Sequence, residues 1–240
     1  MSLYNEYIKT GNIYFKYRTF IPLIILLPIL FYIYLRPDLF FSERINFIFI
    51  CIFISFSGQF IRILTVGYTP RGTSGRNTQK QIAKQLNTLG IYSIVRHPLY
   101  LGNYLMWLGM IIFFNNITVL IIFTIFYYYY YQKIMFAEEA FLIEKFDEKY
   151  FSWSANVPSF IPKITGYKKS SYLFNLKKVL IREYSNITGI VLAYVLISFY
   201  QYYLTNIQNL IVYNSKYIFI VSLIFFLICR YFKKGIYRII

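Results

Sequence analysis

Two polar clusters stand out in a chain that is otherwise strongly apolar. The first is Arg96-His97-Pro98, which precedes an apolar run. Proline suits the first turn of a helix, where its missing N–H costs no hydrogen bond. We therefore predict that a helix begins at Pro98, with unpaired N–H groups and the Arg96 guanidinium forming an anion site for a carboxylate or phosphate. Gly102, one turn further on, would allow a ligand to approach the backbone closely.

The second cluster is acidic and centres on Glu138 and Glu139, at the end of another apolar run. Carboxylates at the edge of hydrocarbon are costly and need partners. The two apolar runs are joined by Asn115-Asn116, so we predict a tight helical hairpin that brings Arg96 and His97 close to the two glutamates. The combined site would suit a ligand that carries both anionic and cationic groups.

Composition excludes several other kinds of site. His97 is the only histidine, and the two cysteines lie in apolar segments, so we expect neither a multi-histidine metal site nor a disulfide framework. A net charge of +16 could indicate nucleic-acid binding, but the basic residues follow a membrane pattern, and we expect no nucleic-acid partner. Charge and spacing leave two interpretations of the clusters open. One is a site for a zwitterion, such as S-adenosylmethionine or a phospholipid head group, and the other is a salt-bridged helix junction.

The elements that must position these clusters are membrane helices. The chain is 58% hydrophobic, whereas soluble domains are about 45–50% apolar, and its apolar runs approach the roughly 20 residues that cross a bilayer. We predict an all-α integral membrane protein, a single membrane domain over 1–240, with a helical-hairpin core. The six predicted spans are about 19–35, 45–66, 98–114, 117–137, 187–204 and 217–232.

The basic residues predict the orientation of these spans. Of the 25 Lys and Arg residues, 21 fall on one side of the six-span arrangement and three on the other. By the positive-inside rule, both termini are then cytoplasmic. The cytoplasmic segments are predicted to contain a short polar helix over Thr78–Leu86 and an amphipathic helix over Ala137–Phe151. The five consecutive tyrosines, Tyr127–Tyr131, favour an aromatic belt at the membrane interface.

Both clusters belong to longer patterns that resemble a known family, the isoprenylcysteine carboxyl methyltransferase and phospholipid methyltransferase superfamily. The first pattern is Leu86-x-Thr88-x-Gly90-x-Tyr92-x-x-Val95-Arg96-His97-Pro98-x-Tyr100-x-Gly102. The second is Glu138-Glu139-x-x-Leu142, Phe146, Tyr150, Val157-Pro158 and Ile161-Pro162. The sequence departs from the family at Trp153, where tyrosine is usual, and at Asp147, where glycine is common. The resemblance covers about 45–163, the expected methyltransferase core, and leaves 164–240 as a C-terminal extension with two further spans.

The resemblance implies an S-adenosylmethionine-dependent methyltransferase, with a cofactor pocket at the cytoplasmic face and a lipidic acceptor entering from the bilayer. It implies that Arg96 lies near the transferred methyl group and the acceptor, with His97 as the second catalytic residue. It assigns Glu138 and Glu139 to the ammonium or ribose hydroxyls of the cofactor. The remaining expected cofactor-binding residues are Tyr92, Val95, His97, Pro98, Tyr100 and Gly102.

The loop around 72–77 resembles a feature of a bacterial branch that includes the lipid A 1-phosphate methyltransferases. A Gly/Ser/Thr loop with two arginines can cradle a phosphate, although an ordinary flexible loop has the same composition. The expected acceptor-binding residues are Arg71, Ser74, Arg76, Asn77 and Arg96. The bacterial branch implies the inner membrane, with the site facing the cytoplasm.

These residues favour O-methylation of a phosphate or carboxylate on a membrane lipid head group, since an ionised acceptor needs no strong general base. An amine would have to lose a proton first, with His97 or a glutamate assisting. N-methylation of a phospholipid amine and carboxyl methylation of a prenylcysteine stay open. A small transporter or scaffold is the non-enzyme alternative, and it predicts charges near mid-bilayer in broken helices.

Overall fold

The computed structural model describes residues 2–41, 44–70, 73 and 81–237. Within these residues the secondary structure is helical, apart from short 3-10 turns and one isolated bridge between Gly90 and Lys168. The helices are α1 (Leu3–Tyr17), α2 (Ile21–Leu35), α3 (Ile45–Gly67), α4 (Pro98–Phe113), α5 (Ile117–Phe146), α6 (Glu148–Ser154), α7 (Leu176–Thr205) and α8 (Leu210–Tyr237).

Each of the six predicted spans falls on a helix, and the protein is an integral membrane protein. By length and composition, four helices can each cross a membrane, namely α3, α5, α7 and α8. Helices α1 and α2 meet this test only as a pair, and they are bent by 73° at their junction. Helix α4 has 16 residues, which gives about 24 Å, short of a hydrocarbon core of about 30 Å. The count of six spans and the cytoplasmic termini therefore stay predictions.

Helices α3 and α4 pack antiparallel at very short range because glycines lie between them. A Cβ atom added to Gly58 would lie 2.4 Å from the carbonyl oxygen of Gly102, and one added to Gly109 would lie 2.3 Å from that of Cys51. Small residues allow membrane helices to approach in this way. Gly102 is part of this contact, since its own Cβ would lie 2.6 Å from Cγ of Arg62.

The predicted hairpin at Asn115-Asn116 is confirmed. Asn115 takes a positive φ of 56°, a conformation that asparagine tolerates better than most residues. The side chain of Asn116 caps α5 by accepting the N–H of Val119 at 3.1 Å. The two helices run back along each other, with the Tyr104 and Tyr127 rings 5.1 Å apart.

Several element boundaries differ from the sequence prediction. Helix α5 continues without interruption to Phe146, and the helical conformation is interrupted at Asp147. The predicted amphipathic helix over Ala137–Phe151 is therefore divided between α5 and α6. The predicted polar helix over Thr78–Leu86 is wrong over its described part, since residues 81–86 are irregular. Within Tyr127–Tyr131, three rings lie in the core and are 2–3% exposed, so this part of the run does not form an interfacial belt.

Helix α7 begins at Leu176, well before the predicted span at 187. Its N-terminal turns are polar, and hydropathy therefore does not reveal them. They are instead capped by Asn175, which accepts the N–H of Lys178 at 2.8 Å. Further along, the Tyr194 hydroxyl lies 2.9 Å from Oγ of Ser55 on α3. The C-terminal extension is thus packed against the helices of the expected methyltransferase core.

Candidate functional site

The segment before α4 is held by backbone hydrogen bonds to the chain that follows α6. The N–H of Arg96 donates to the carbonyl of Pro158 at 2.9 Å, and that of His97 donates to Ser159 at 3.1 Å. These bonds join the two halves of the sequence pattern. They also use N–H groups at the start of α4, and the N–H of Tyr100 bonds to the carbonyl of His97 at 3.1 Å. The predicted anion site built from free N–H groups is therefore not supported, and the charge at this site comes from side chains.

The side chains of His97 and Arg96 meet the two glutamates, as the hairpin predicts. Nε2 of His97 lies 2.8 Å from Oε1 of Glu139, and Nδ1 lies 3.6 Å from Oε2 of Glu138. Nε of Arg96 lies 3.3 Å from the same Oε1 of Glu139. The imidazole thus lies between two carboxylates, and it is buried, with 6% of its surface exposed.

The two glutamates determine the charge of His97. Burial alone would lower the pKa of His97, because it disfavours the imidazolium, but the hydrogen bonds and negative charges of Glu138 and Glu139 outweigh it and raise the pKa. Both ring nitrogens thus lie beside carboxylates that favour the protonated form.

Aromatic residues surround the same cluster. The hydroxyl of Tyr100 donates to Oε1 of Glu138 at 2.7 Å. Burial raises the pKa of Tyr92, and the charge of Glu138 raises it further. The indole N–H of Trp153, at the position where the family usually has tyrosine, donates to the carbonyl of Tyr92 at 2.9 Å. Trp153 therefore fixes the backbone beside the cluster.

Among the described residues, two buried polar atoms of this cluster lack a partner by strict hydrogen-bond geometry. They are the hydroxyl of Tyr150 and Nε of Arg96, which is within ion-pair distance of Glu139. Burial raises the pKa of Tyr150, as does the charge of Glu139. Both atoms are enclosed beside the Glu139 carboxylate, which is the acceptor closest to hand for two buried donors that would normally be satisfied.

The cluster lies at one end of a cavity of about 1040 Å³. Small-molecule pockets range from about 300 to 1,000 Å³, so this cavity can hold a cofactor together with part of a lipid. Its polar end contains most of the predicted cofactor-binding residues. Those that line it are Tyr92, His97, Pro98, Tyr100, Glu138 and Glu139, and Arg96, which was predicted as a catalytic and acceptor-binding residue, lines it with them.

The other end of the cavity is an apolar corridor between α2, α4 and α7. Its wall follows α4 from Pro98 to Phe114, just past the helix end. The further lining residues include Leu23, Leu26 and Leu30 of α2, Met106, Trp107 and Met110 of α4, and Ile190, Ala193 and Ile197 of α7. The corridor is long enough for a hydrocarbon chain to lie along α4.

A buried ion pair that sequence reasoning missed lies between the two ends. Nη2 of Arg62 lies 2.9 Å from Oε1 of Glu183, and Nε donates to Oε2 at 2.9 Å. The other arm of Arg62 donates to the side-chain oxygen of Asn103 at 2.7 Å, while Gln59 and Asn186 donate to Glu183. A lone arginine in an apolar span was the available signal, because such a charge requires a partner.

Not all predicted site residues reach the cavity. Val95 is fully buried and Gly102 faces α3, and neither lines the cavity. Their contact with a cofactor stays a prediction, and for Gly102 the helix contact is a sufficient reason for a glycine. The acceptor-binding residues Arg71, Ser74, Arg76 and Asn77 lie outside the described residues. Within the described part of the chain, no group of three or more His, Cys, Asp or Glu residues could hold a metal ion.

Residues 47–149 match the family model described as phospholipid methyltransferase. This confirms the resemblance to the wider superfamily, and the match covers α3, α4 and α5 with most of the acidic cluster. It indicates a membrane methyltransferase that acts on lipids. No curated protein and no solved structure matches the chain significantly. Helices α1, α2, α7 and α8 lie outside the matched region.

Proposed function

We propose that this protein transfers a methyl group from S-adenosylmethionine to an anionic group on the head of a membrane lipid. The observation that carries the proposal is the single cavity, which joins an acidic cluster to an apolar corridor. Such a cavity can place a charged water-soluble cofactor and a lipid end to end. The match to the phospholipid methyltransferase family supports the same reaction.

The residues present fit the cofactor. S-adenosylmethionine carries an ammonium and a sulfonium, which favour the carboxylates of Glu138 and Glu139. Its carboxylate can accept a hydrogen bond from the guanidinium of Arg96, a residue that lines this end of the cavity. The aromatic rings of Tyr92 and Trp153 line the same end of the cavity and provide apolar surface for an adenine ring.

The residues of this chain act mainly by binding and alignment. When bound, the cofactor supplies an electrophilic methyl group on sulfur. Transfer of that methyl group to an acceptor oxygen would leave S-adenosylhomocysteine as the second product. Close alignment of the two reactants can supply much of the acceleration. His97 lies between Glu138 and Glu139 and keeps their carboxylates in place.

The partners of His97 favour an ionised oxygen acceptor over an amine. An ionised phosphate or carboxylate carries no proton on the attacking oxygen and needs no base. A protonated amine would need a base, and both ring nitrogens of His97 lie beside glutamate carboxylates. N-methylation of a phospholipid amine and carboxyl methylation of a prenylcysteine remain the alternative acceptors.

The proposed site faces the cytoplasm of a bacterial inner membrane. The asymmetry of basic residues supports this orientation, and the cytoplasm is where S-adenosylmethionine is made. A small transporter is expected to carry its polar clusters in broken helices, whereas α3 and α5 run unbroken through the Arg62 and Glu138 positions.

Calorimetric titration of the detergent-solubilised full chain with S-adenosylhomocysteine tests the proposal. We expect saturable binding by protein that unfolds cooperatively on heating. An absence of binding in such a preparation would refute the methyltransferase assignment.

A further inference from the structure

We infer that Arg18 and Arg182, which lie outside the family-matched region on either side of it, form the subsite for an ionised phosphate of the lipid acceptor. This inference rests on the proposed function. It names an ionised phosphate as the head group and the two arginines as the residues that bind it.

The position of Arg18 along the helix axes of the bundle follows from the packing of α1 on α5. Tyr7 lies 5.6 Å from Phe136, and Tyr14 lies 4.7 Å from Tyr130, so the two helices are antiparallel. The end of α1 is then level with residues 126–127 of α5. The hydroxyl of Tyr127 bonds to the carbonyl of Tyr100 at 2.8 Å. Arg18, which lines the cavity, therefore lies at the level of the first two turns of α4.

The depth of Arg182 follows from its neighbour Glu183. Glu183 pairs with Arg62 at 2.9 Å, and Arg62 donates to the carbonyl of Leu99 at 3.4 Å and to Asn103 at 2.7 Å. Arg182 also lines the cavity. It is thus level with the same two turns of α4, and the two arginines reach the cavity from different helices at a similar depth.

The charges at this level suit a phosphate. Arg18, Arg62 and Arg182 contribute three positive charges, and Glu183 contributes one negative charge that is bound to Arg62. These arginines line the same cavity as the acidic cluster of Glu138 and Glu139. A phosphate monoester carries a charge of about −1.5 to −2 at neutral pH, and arginine binds phosphate in a forked, bidentate geometry.

The neighbouring surface is apolar on one side and acidic on the other. Toward the membrane, the corridor begins with Leu23 on α2 and Ile190 on α7, where lipid chains can follow the phosphate. Toward Glu138 lies the proposed cofactor position. A phosphate held between them presents an oxygen to the methyl group. Methylation removes one negative charge, which weakens the attraction to the arginines and favours release of the product.

Fluorescence quenching can test this subsite, because Trp107 lies on the corridor wall. The full chain in phosphatidylcholine nanodiscs is titrated with phosphatidic acid whose acyl chains are brominated, and brominated phosphatidylcholine serves as the neutral comparison. We expect brominated phosphatidic acid to quench tryptophan fluorescence at a lower mole fraction than brominated phosphatidylcholine does. In Trp107→Phe, we expect no quenching beyond that caused by the bulk lipid. In R18Q/R182Q, the phosphatidic acid needed for half-quenching should rise at least tenfold, as for lost charge-assisted hydrogen bonds.

Control variants separate the subsite from general effects. Arg36→Gln removes an exposed arginine that pairs with Asp38, and it should leave the titration unchanged. R18K/R182K should recover part of the affinity, since lysine keeps the positive charge but lacks the paired N–H donors of the guanidinium group. S-adenosylhomocysteine binding serves as the test of folding. If R18Q/R182Q does not fold, the single variants and the lysine pair are measured in its place.

Two results would overturn the inference. One is an unchanged phosphatidic acid titration in R18Q/R182Q protein that still binds S-adenosylhomocysteine. The other is equal quenching by brominated phosphatidic acid and phosphatidylcholine in the wild type. A fatty acid carboxylate that competes as well as phosphatidic acid would also remove the assignment to phosphate. If the wild type binds no S-adenosylhomocysteine but keeps an arginine-dependent preference for phosphatidic acid, the methyl-transfer proposal fails and the phosphate subsite stands.

Discussion

Nη2 of Arg62 and Oε1 of Glu183 lie 2.9 Å apart in the interior of the helix bundle, where both side chains are nearly excluded from solvent. Arg62 belongs to the family-matched region and Glu183 to the C-terminal extension. The pair therefore connects the family-matched region to a helix that lies outside it. It also separates the acidic end of the cavity from the apolar corridor.

Breaking this ion pair should destabilise the protein strongly. Glu183→Gln leaves the Arg62 charge buried without its partner, which typically costs about 3–5 kcal/mol. We expect a large fall in the thermal unfolding midpoint in detergent. Glu144→Gln, an exposed change on α5, should leave the midpoint nearly unchanged. The double variant R62L/E183L should recover much of the loss, and equal instability of the single and double variants would contradict the ion-pair account.

Glu139→Gln should weaken cofactor binding with little effect on folding. The side chain keeps its size but loses the charge that pairs with His97 and Arg96. We expect about a tenfold or larger increase in the dissociation constant for S-adenosylhomocysteine, as for the loss of a charged hydrogen bond. Titration calorimetry measures it, again with Glu144→Gln as the matched control. Unchanged affinity would remove Glu139 from the proposed cofactor site.

The single histidine allows a direct pH test. His97 has a pKa raised above its ordinary value of 6.5, so its ion pairs contribute fully below about pH 6.5. That contribution is lost as the pH rises through the higher, folded-state pKa. Selective labelling of histidine and NMR titration should give a midpoint above 6.5 in the folded protein. In E138Q/E139Q the midpoint should fall, because burial then acts alone, and a wild-type midpoint at or below 6.5 would be inconsistent with the two ion pairs.

Asp147 occupies a backbone conformation that favours glycine. Its φ is 40° at the junction of α5 and α6, and side chains other than glycine pay about 1–2 kcal/mol for left-handed conformations. Asp147→Gly should therefore raise stability by about 1 kcal/mol, measured as the free energy of unfolding in denaturant. Asp147→Ala removes the carboxylate but keeps Cβ, so it should give no such gain. Equal effects of the two substitutions would assign the change to charge instead of backbone strain.

The close packing of α3 and α4 can be tested at Gly58. An alanine there would place its Cβ 2.4 Å from a backbone oxygen of α4, whereas Gly189 has nothing within 4 Å. Gly58→Ala should cost several kcal/mol through helix separation, since overpacking typically costs about 1–3 kcal/mol or more. Gly189→Ala should be neutral or slightly stabilising in the same thermal-unfolding assay. Tolerance of alanine at Gly58 would contradict the short interhelical distance.

The sequence could predict those parts of the site that have local signals. Pro98 marks a helix start, Asn115-Asn116 marks the turn of the hairpin, and these two features suffice to bring His97 close to Glu139. Pro98 also predicts free N–H groups at the helix start. The carbonyls of Pro158 and Ser159 accept hydrogen bonds from the N–H groups of Arg96 and His97, and this pairing has no local signal because it joins distant segments.

Other parts of the molecule have no local signal. The N-terminal turns of α7 are polar and carry Glu183, so hydropathy placed the start of the span too late and did not connect it to Arg62. The positive φ at Asp147 likewise comes from packing, and it was visible only as a departure from the family pattern. Gly102 was assigned to a ligand, whereas a glycine facing a neighbouring helix has the same appearance in sequence.

The most direct test of the account is transfer of a labelled methyl group. The purified full chain is incubated with lipid vesicles containing phosphatidic acid and S-adenosylmethionine labelled in its methyl group, and extracted lipids are analysed by mass spectrometry. The account predicts a labelled methyl ester on the anionic lipid with wild-type protein and with Glu144→Gln, and a strongly reduced yield with Glu139→Gln. Label on the amine of an added phosphatidylethanolamine instead would contradict the anionic acceptor, and no label in any vesicle or native membrane lipid, with protein that binds S-adenosylhomocysteine, would contradict methyl transfer to lipids.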